Sequence, residues 1–146
     1  MSSFTRSISL RTRGFSDVHD LTPSVRQIVE ESNIAEGIAT TFVPGSTAGI
    51  TTIEFEEGAL EDLREAIERL IPQEREYAHN TRWGDGNGFS HIRAAILGPS
   101  VSIPIVNREL ALGTWQQIVV IDFDNRPRSR NVIVTVVGDA GSSPHL

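Results

Sequence analysis

The sequence predicts an α+β fold of mostly antiparallel β-sheet layers with about three helices, in a single compact domain spanning residues 1–146. Several runs show the period-2 alternation or β-branched enrichment of strands, while others carry the 3.6-residue period of amphipathic helices. Strands and helices do not alternate regularly, which argues against a parallel doubly wound sheet. The runs at 115–123 and 131–137 are apolar at nearly every position, which predicts cover on both faces by other layers or by another subunit.

Phe4, Ile8 and Leu10 alternate with polar residues in a first strand. Thr22 followed by Pro23 reads as an N-cap with proline at the first helical position, opening a helix through about Ser32 with Val25, Ile28 and Val29 on one face. Residues 38–43 and 50–55 read as two strands broken at Pro44-Gly45. Leu60, Leu63, Ala66, Ile67 and Leu70 then recur at helical spacing over a charged opposite face, and Pro72 ends that helix. After a glycine-rich loop, residues 90–97 form a helix stopped by Gly98-Pro99. Strands follow at 101–106, 115–123 and 131–137, and the C-terminal Gly141-Ser142-Ser143-Pro144 is expected to be loose.

Composition narrows the chemistry. There is no cysteine, so thiolate metal sites and thiol nucleophiles are excluded. All 13 basic residues are arginine, which removes lysine Schiff-base chemistry and leaves guanidinium forks as the anion clamps. A net charge of -6 makes nucleic acid an unlikely partner. Neither a membrane-spanning run nor a signal-peptide pattern is present in this sequence, so a cytoplasmic location without membrane attachment is expected.

Candidate site residues concentrate between Tyr77 and Gln117. His79 and His91 lie among Asn80, Asp85, Asn87 and glycines, a mixture suited to a site and not to a core. Two polar histidines with unrelated roles are the competing account. Glu54 stands in a β run between Ile53 and Phe55, where a solvated strand-face carboxylate is the commoner outcome. Ser46 and Thr47 sit in the loop Pro44 to Gly49, which could cradle a phosphate or oxyanion, against the alternative of a simple turn. Trp115 can pack in the core or border a flat ring, and Gln116 offers both a donor and an acceptor. Arg126, Arg128 and Arg130 form a basic turn that could meet phosphate or merely tip a hairpin. His19 and His145 receive no role.

The ordered set Gly45-Ser46-Thr47-Ala48-Gly49-Ile50-Thr51-Thr52-Ile53-Glu54, Tyr77-Ala78-His79-Asn80, Ser90-His91-Ile92-Arg93, Leu97-Gly98-Pro99-Ser100, Leu112-Gly113-Thr114-Trp115-Gln116 and Val137-Gly138 resembles the YjbQ family, also called the secondary thiamine-phosphate synthase family. The resemblance implies a homotrimer with a polar cleft near the subunit contacts, carrying His79, His91 and Glu54 as the shared catalytic groups. It also implies an activity: joining a hydroxymethylpyrimidine diphosphate to a thiazole phosphate with loss of pyrophosphate. In that setting His79 and His91 hold a divalent metal, with zinc favoured over magnesium, or act directly on the diphosphate. Ser46, Thr47 and Arg93 contact phosphate oxygens of the small phosphorylated metabolite, and Trp115 and Gln116 border the ring pocket. A non-catalytic trimeric binding module and a metal-dependent hydrolase stay open as alternatives. One departure stands out, since many relatives carry His-Thr-Ser-Ala where this chain has Gly45-Ser46-Thr47-Ala48.

Overall fold

The structure is a computed structural model that describes residues 1–141. His145 and most of the segment expected to be loose lie outside the described residues. The strands are β1 (Ser2–Thr12), β2 (Asp17–Asp20), β3 (Ile34–Phe42), β4 (Ala48–Ile53), β5 (Ser100–Val106), β6 (Glu109–Leu110), β7 (Gln117–Asp122) and β8 (Arg128–Ala140). The helices are α1 (Thr22–Ser32), α2 (Glu57–Leu70), α3 (Ala78–Trp83) and α4 (Gly88–Leu97). Every strand pairing is antiparallel, as expected.

The strands divide into a five-stranded sheet in the order β1-β8-β3-β5-β6 and a three-stranded sheet in the order β2-β7-β4. β7 explains the architecture. Its Ile118 and Val120 join Val25, Ile50, Val132, Val134 and Val136 in the main core, between the small sheet and the large sheet with α1. Its Val119 and Ile121, with Phe123, join Leu60 and Ala94 in a second core beneath α2 and α4. Continuous apolarity in β7 thus reflects a middle layer, as the sequence predicts. β8 does not share this fate. Val132, Val134 and Val136 point inward, whereas Ile133 and Thr135 are half-buried and Val137 is exposed, so only one face is covered.

The outer face of the large sheet is uncharged in its central rows. Val137 pairs with Ile38, and Ile38 with Pro104, while Thr135 and Thr40 continue the next row to Ser102. Hydroxyl pairs Thr5–Thr135 and Thr40–Ser102 tie that row together. β3 and β8 approach so closely at Gly37 and Gly138 that a Cβ on either would fall 2.1 Å from a carbonyl of the other strand. Only glycine fits there.

Several expectations require correction. Thr22 is not the cap of α1: Leu21 holds that position, the Thr22 hydroxyl instead accepts the Ile118 amide, and Asp20 accepts the Thr22 amide. The glycine-rich loop contains the short helix α3, closed by Gly84 in the left-handed conformation. The strands β2 and β6 were too short for a periodic signal. In α2 only Leu60 is fully buried and Leu70 is exposed, because the helix lies on the small sheet through its first turns. β7 starts at Gln117, so Trp115 belongs to neither strand nor core. A tight turn explains it: the Gly113 amide donates to the Gln116 side chain and the Gln116 amide to the Gly113 carbonyl, leaving Trp115 72% exposed at the tip.

Candidate functional site

α3 and α4 flank the glycines Gly84, Gly86 and Gly88, and the turn between them brings their histidines together. The Asn80 side chain accepts the Gly88 amide at 2.8 Å, clamping the start of α4 onto α3. A Cβ on Gly88 would meet Tyr77 Cβ at 2.5 Å and the ring carbon Cγ at 2.9 Å, so glycine permits the approach. The result is a His79–His91 pair with ring centroids 4.3 Å apart and planes tilted by 38°. His79 Nδ1 is buried, makes no hydrogen bond, and lies 3.4 Å from Asp85 Oδ1, beyond good hydrogen-bond length. Burial holds His91 below the ordinary histidine range, and the neighbouring His79 charge adds to this, while Asp85 and Asp124 oppose it. At neutral pH His91 is therefore a neutral imidazole, able to accept a proton or offer a lone pair.

Beneath this pair lies a buried ionic network. Asp122 and Asp124 are both fully buried. Arg130 donates to Asp122 through Nε at 2.7 Å and Nη2 at 3.0 Å, and Nη2 also reaches the Thr47 hydroxyl at 2.7 Å. Thr47 in turn donates to Asp124 at 2.8 Å, and Arg128 donates to the same carboxylate at 2.9 Å. Burial alone would raise Asp124, but the hydrogen bonds from Thr47 and Arg128 and the Arg128 charge hold it below the usual carboxylate range. Asn87 links the network to the histidines, bonding Asp124, Ser90 and the Asn125 amide, while its own amide meets Asp85. Two carboxylates face two guanidiniums, so the cluster carries no net charge.

The other candidates separate. Thr47 belongs to the network, and Ser46 is exposed beside it. Arg93 is buried with its guanidinium bound to the Ile71 carbonyl, Glu68 and Ser16, and stacked on Phe89. It anchors α4 to the end of α2. Glu54 follows the far end of β4, whose residues span roughly 20 Å at ~3.3 Å each, and it is exposed there. Gln116 bonds Thr52 at that same far end, next to exposed Trp115 and Phe55. His79 and His91 are thus brought together with Thr47, while Glu54, Trp115 and Gln116 form a second group.

Asp122, Asp124, Arg128 and Arg130 went unselected as a unit when the chain was read linearly. A signal existed, since each pair is spaced two apart: Arg128 and Arg130 share a face of β8, and Asp122 and Asp124 stand at and just past the end of β7. Only the β7–β8 connection shows that the two faces meet.

Comparison with known proteins matches residues 6–139 to the family model described as UPF0047 protein YjbQ-like. A UPF0047 protein of Methanothermobacter thermautotrophicus is 36% identical over 138 residues, 94% of each chain. One from Archaeoglobus fulgidus is 37% identical over 87% of this chain and 96% of its own length. Among solved structures, a YbjQ-like protein of unknown function from Sulfolobus solfataricus superposes with a TM-score of 0.90 at 33% identity, covering 94% of this chain and 99% of that one. A hypothetical protein from Aeropyrum pernix gives 0.85 at 31% identity, covering 92% and 98%. With its sheet layers, helices and sequence all in agreement, the chain belongs to the UPF0047 YjbQ-like family.

Proposed function

We propose that this protein binds a small phosphorylated metabolite at the His79–His91 pair and catalyses departure of a phosphate-type leaving group, as a thiamine-phosphate synthase-type transferase. The observation that carries the reading is the packing of the two imidazoles at 4.3 Å, one with an unsatisfied buried nitrogen, above a charge-balanced support. In the reaction, the thiazole nitrogen forms a bond to the pyrimidine methylene carbon as the carbon–oxygen bond to the diphosphate breaks. Pyrophosphate leaves with the bonding pair. The imidazole pair, or an ion held by it, faces the departing oxygens and offsets the charge that develops on them.

Imidazoles with a nearby carboxylate are donor types that zinc accepts, and His79 and His91 would hold such an ion. Among the described residues no group of three or more His, Asp or Glu side chains is arranged as a ligand set. A zinc or magnesium ion there would complete its shell with solvent or substrate oxygens, and would supply charge neutralisation for the diphosphate.

Incubation of the purified protein with hydroxymethylpyrimidine diphosphate and thiazole phosphate, with thiamine phosphate quantified by chromatography, tests the reading. His79→Ala and His91→Ala are each expected to lower turnover by two or more orders of magnitude, about what one group that stabilises developing charge contributes. Absence of turnover by the wild-type chain would sink the transferase reading. The separation of Glu54 from the histidines favours a second reading, a non-catalytic binder that shows affinity for pyrophosphate without turnover.

A homotrimer is part of the proposal. The uncharged outer rows of the large sheet, in a chain of net charge -6, form the surface least opposed to a second copy. A head-to-tail ring would also allow the Glu54–Trp115 end of one subunit to approach the histidines of the next. Light scattering of the purified protein measures the assembly directly. No helix among the described residues is long and apolar enough to cross a membrane, and a cytoplasmic location fits that reading.

A further inference from the structure

The gap above Gly45 leads to an arginine that the network leaves incompletely used. Arg130 is nine-tenths buried. Its Nε and Nη2 are committed to Asp122 and Thr47, but Nη1 has no hydrogen-bond acceptor among the described residues. A Cβ placed on Gly45 would fall 2.8 Å from that Nη1 and 4.0 Å from Cζ, and would meet nothing else within 4 Å. Gly45 has a φ of +124°, which favours glycine, and lies exposed beside exposed Ser46. The bare glycine thus leaves a window through which the guanidinium reaches the surface of the Pro44 to Thr47 loop. A guanidinium donor left free in such a position is a ready partner for phosphate oxygen.

We infer that Arg130 Nη1, reached through the Gly45 window and assisted by the Ser46 hydroxyl, is a phosphate-binding donor of the histidine site and takes the terminal phosphate of a diphosphate. The inference deepens the function proposed above and rests on it. Arg130 is tied to that site through Thr47 and Asp124, and Asn87 carries the connection on from Asp124 to Asp85 beside His79. The two carboxylates behind Arg130 do not repel the ligand strongly, because Arg128 and Arg130 itself balance them. Arg93, the arginine that the sequence nominates for this task, is spent on Glu68 and the Ile71 carbonyl.

Pyrophosphate is the probe. It is titrated into the wild-type protein while the side-chain nitrogen resonances of Arg130 and the ring resonances of His79 and His91 are followed by NMR, and affinity is measured by calorimetry. Both sets of resonances are expected to move together. Gly45→Ala, which puts a methyl group against Nη1, is expected to weaken pyrophosphate binding about tenfold while the histidine rings still respond, a loss on the scale of one charge-assisted hydrogen bond. Ring resonances that move while Arg130 stays unchanged would overturn the inference and leave the proposed function standing. Rings that do not respond at all would overturn both. Should Gly45→Ala fail to fold, the wild-type Arg130 resonance decides alone.

Discussion

The two ends of β4 are built in opposite ways. Just before its first residue, at Thr47, lies a buried ionic cluster in which Asp124 and Arg130 bond the Thr47 hydroxyl and Asp122 and Arg128 pair with them. Beyond Ile53 the strand runs out into exposed Glu54 and Phe55, with Trp115 standing clear of the surface; the Gln116 side chain donates to Thr52 and the Phe55 amide donates to the Gln117 side chain as ties. The contrast teaches where each kind of work is done. A buried, hydrogen-bonded network holds its side chains in fixed positions, whereas exposed groups on a turn are held by few contacts.

The comparison breaks most sharply if the buried end proves dispensable for stability. Asp122→Ala removes the carboxylate that holds Arg130 and leaves a guanidinium buried without its partner, so a loss of about 3–5 kcal/mol is expected in urea unfolding. A loss below about 1 kcal/mol would mean that the network is solvated and does not support the site. A smaller effect is expected from titration. His91 is held low by burial and by His79, and its neutral form is the one that folding favours. Its contribution to stability is therefore complete above the ordinary histidine value near 6.5 and shrinks as pH falls through that value towards the lower folded one. Asp124 behaves in the same sense further down the scale, contributing above its usual carboxylate range and losing that contribution as acid protonates it. NMR of the ring protons should show His91 titrating below 6.5, moving further down in Asp85→Asn and back up in His79→Gln. Movement in the opposite directions would refute the assigned neighbours.

The smallest effect belongs to the exposed end. Trp115→Ala and Glu54→Gln are expected to change the unfolding free energy of a subunit by less than about 0.5 kcal/mol, the usual scale for exposed positions. If that end meets a neighbouring subunit, the same variants shift the assembly to lower mass in light scattering. Large destabilisation with no change of mass would show that Trp115 packs within its own subunit.

Much of the fold was legible because periodicity reports burial directly. The alternation of Phe4, Ile8 and Leu10, the spacing of Leu60, Leu63 and Ile67, and the unbroken apolarity of 118–121 each correspond to an element with the expected inward face. Legibility failed where a few residues decide the outcome. β2 and β6 are short, Thr22 serves Ile118 and not its own helix, and Trp115 sits on a turn closed by Gln116. The candidate site is half legible: residue type nominates His79 and His91, which do meet, whereas Glu54 and Arg93 enter through the family resemblance and lie elsewhere.

The amino-acid sequence by itself determined the α+β class, the family, the absence of thiol and lysine chemistry, and the residue types open to a site. Tertiary structure alone decided which of them touch. Side-chain identity fixes what a group can do, but contact between His79 and His91, or between Asp122 and Asp124 at the end of β7 and the arginines of β8, depends on turns and strand pairings that join distant parts of the chain. Linear spacing encodes one face of one element, and a site drawn from several elements exists only once their packing has set the distances.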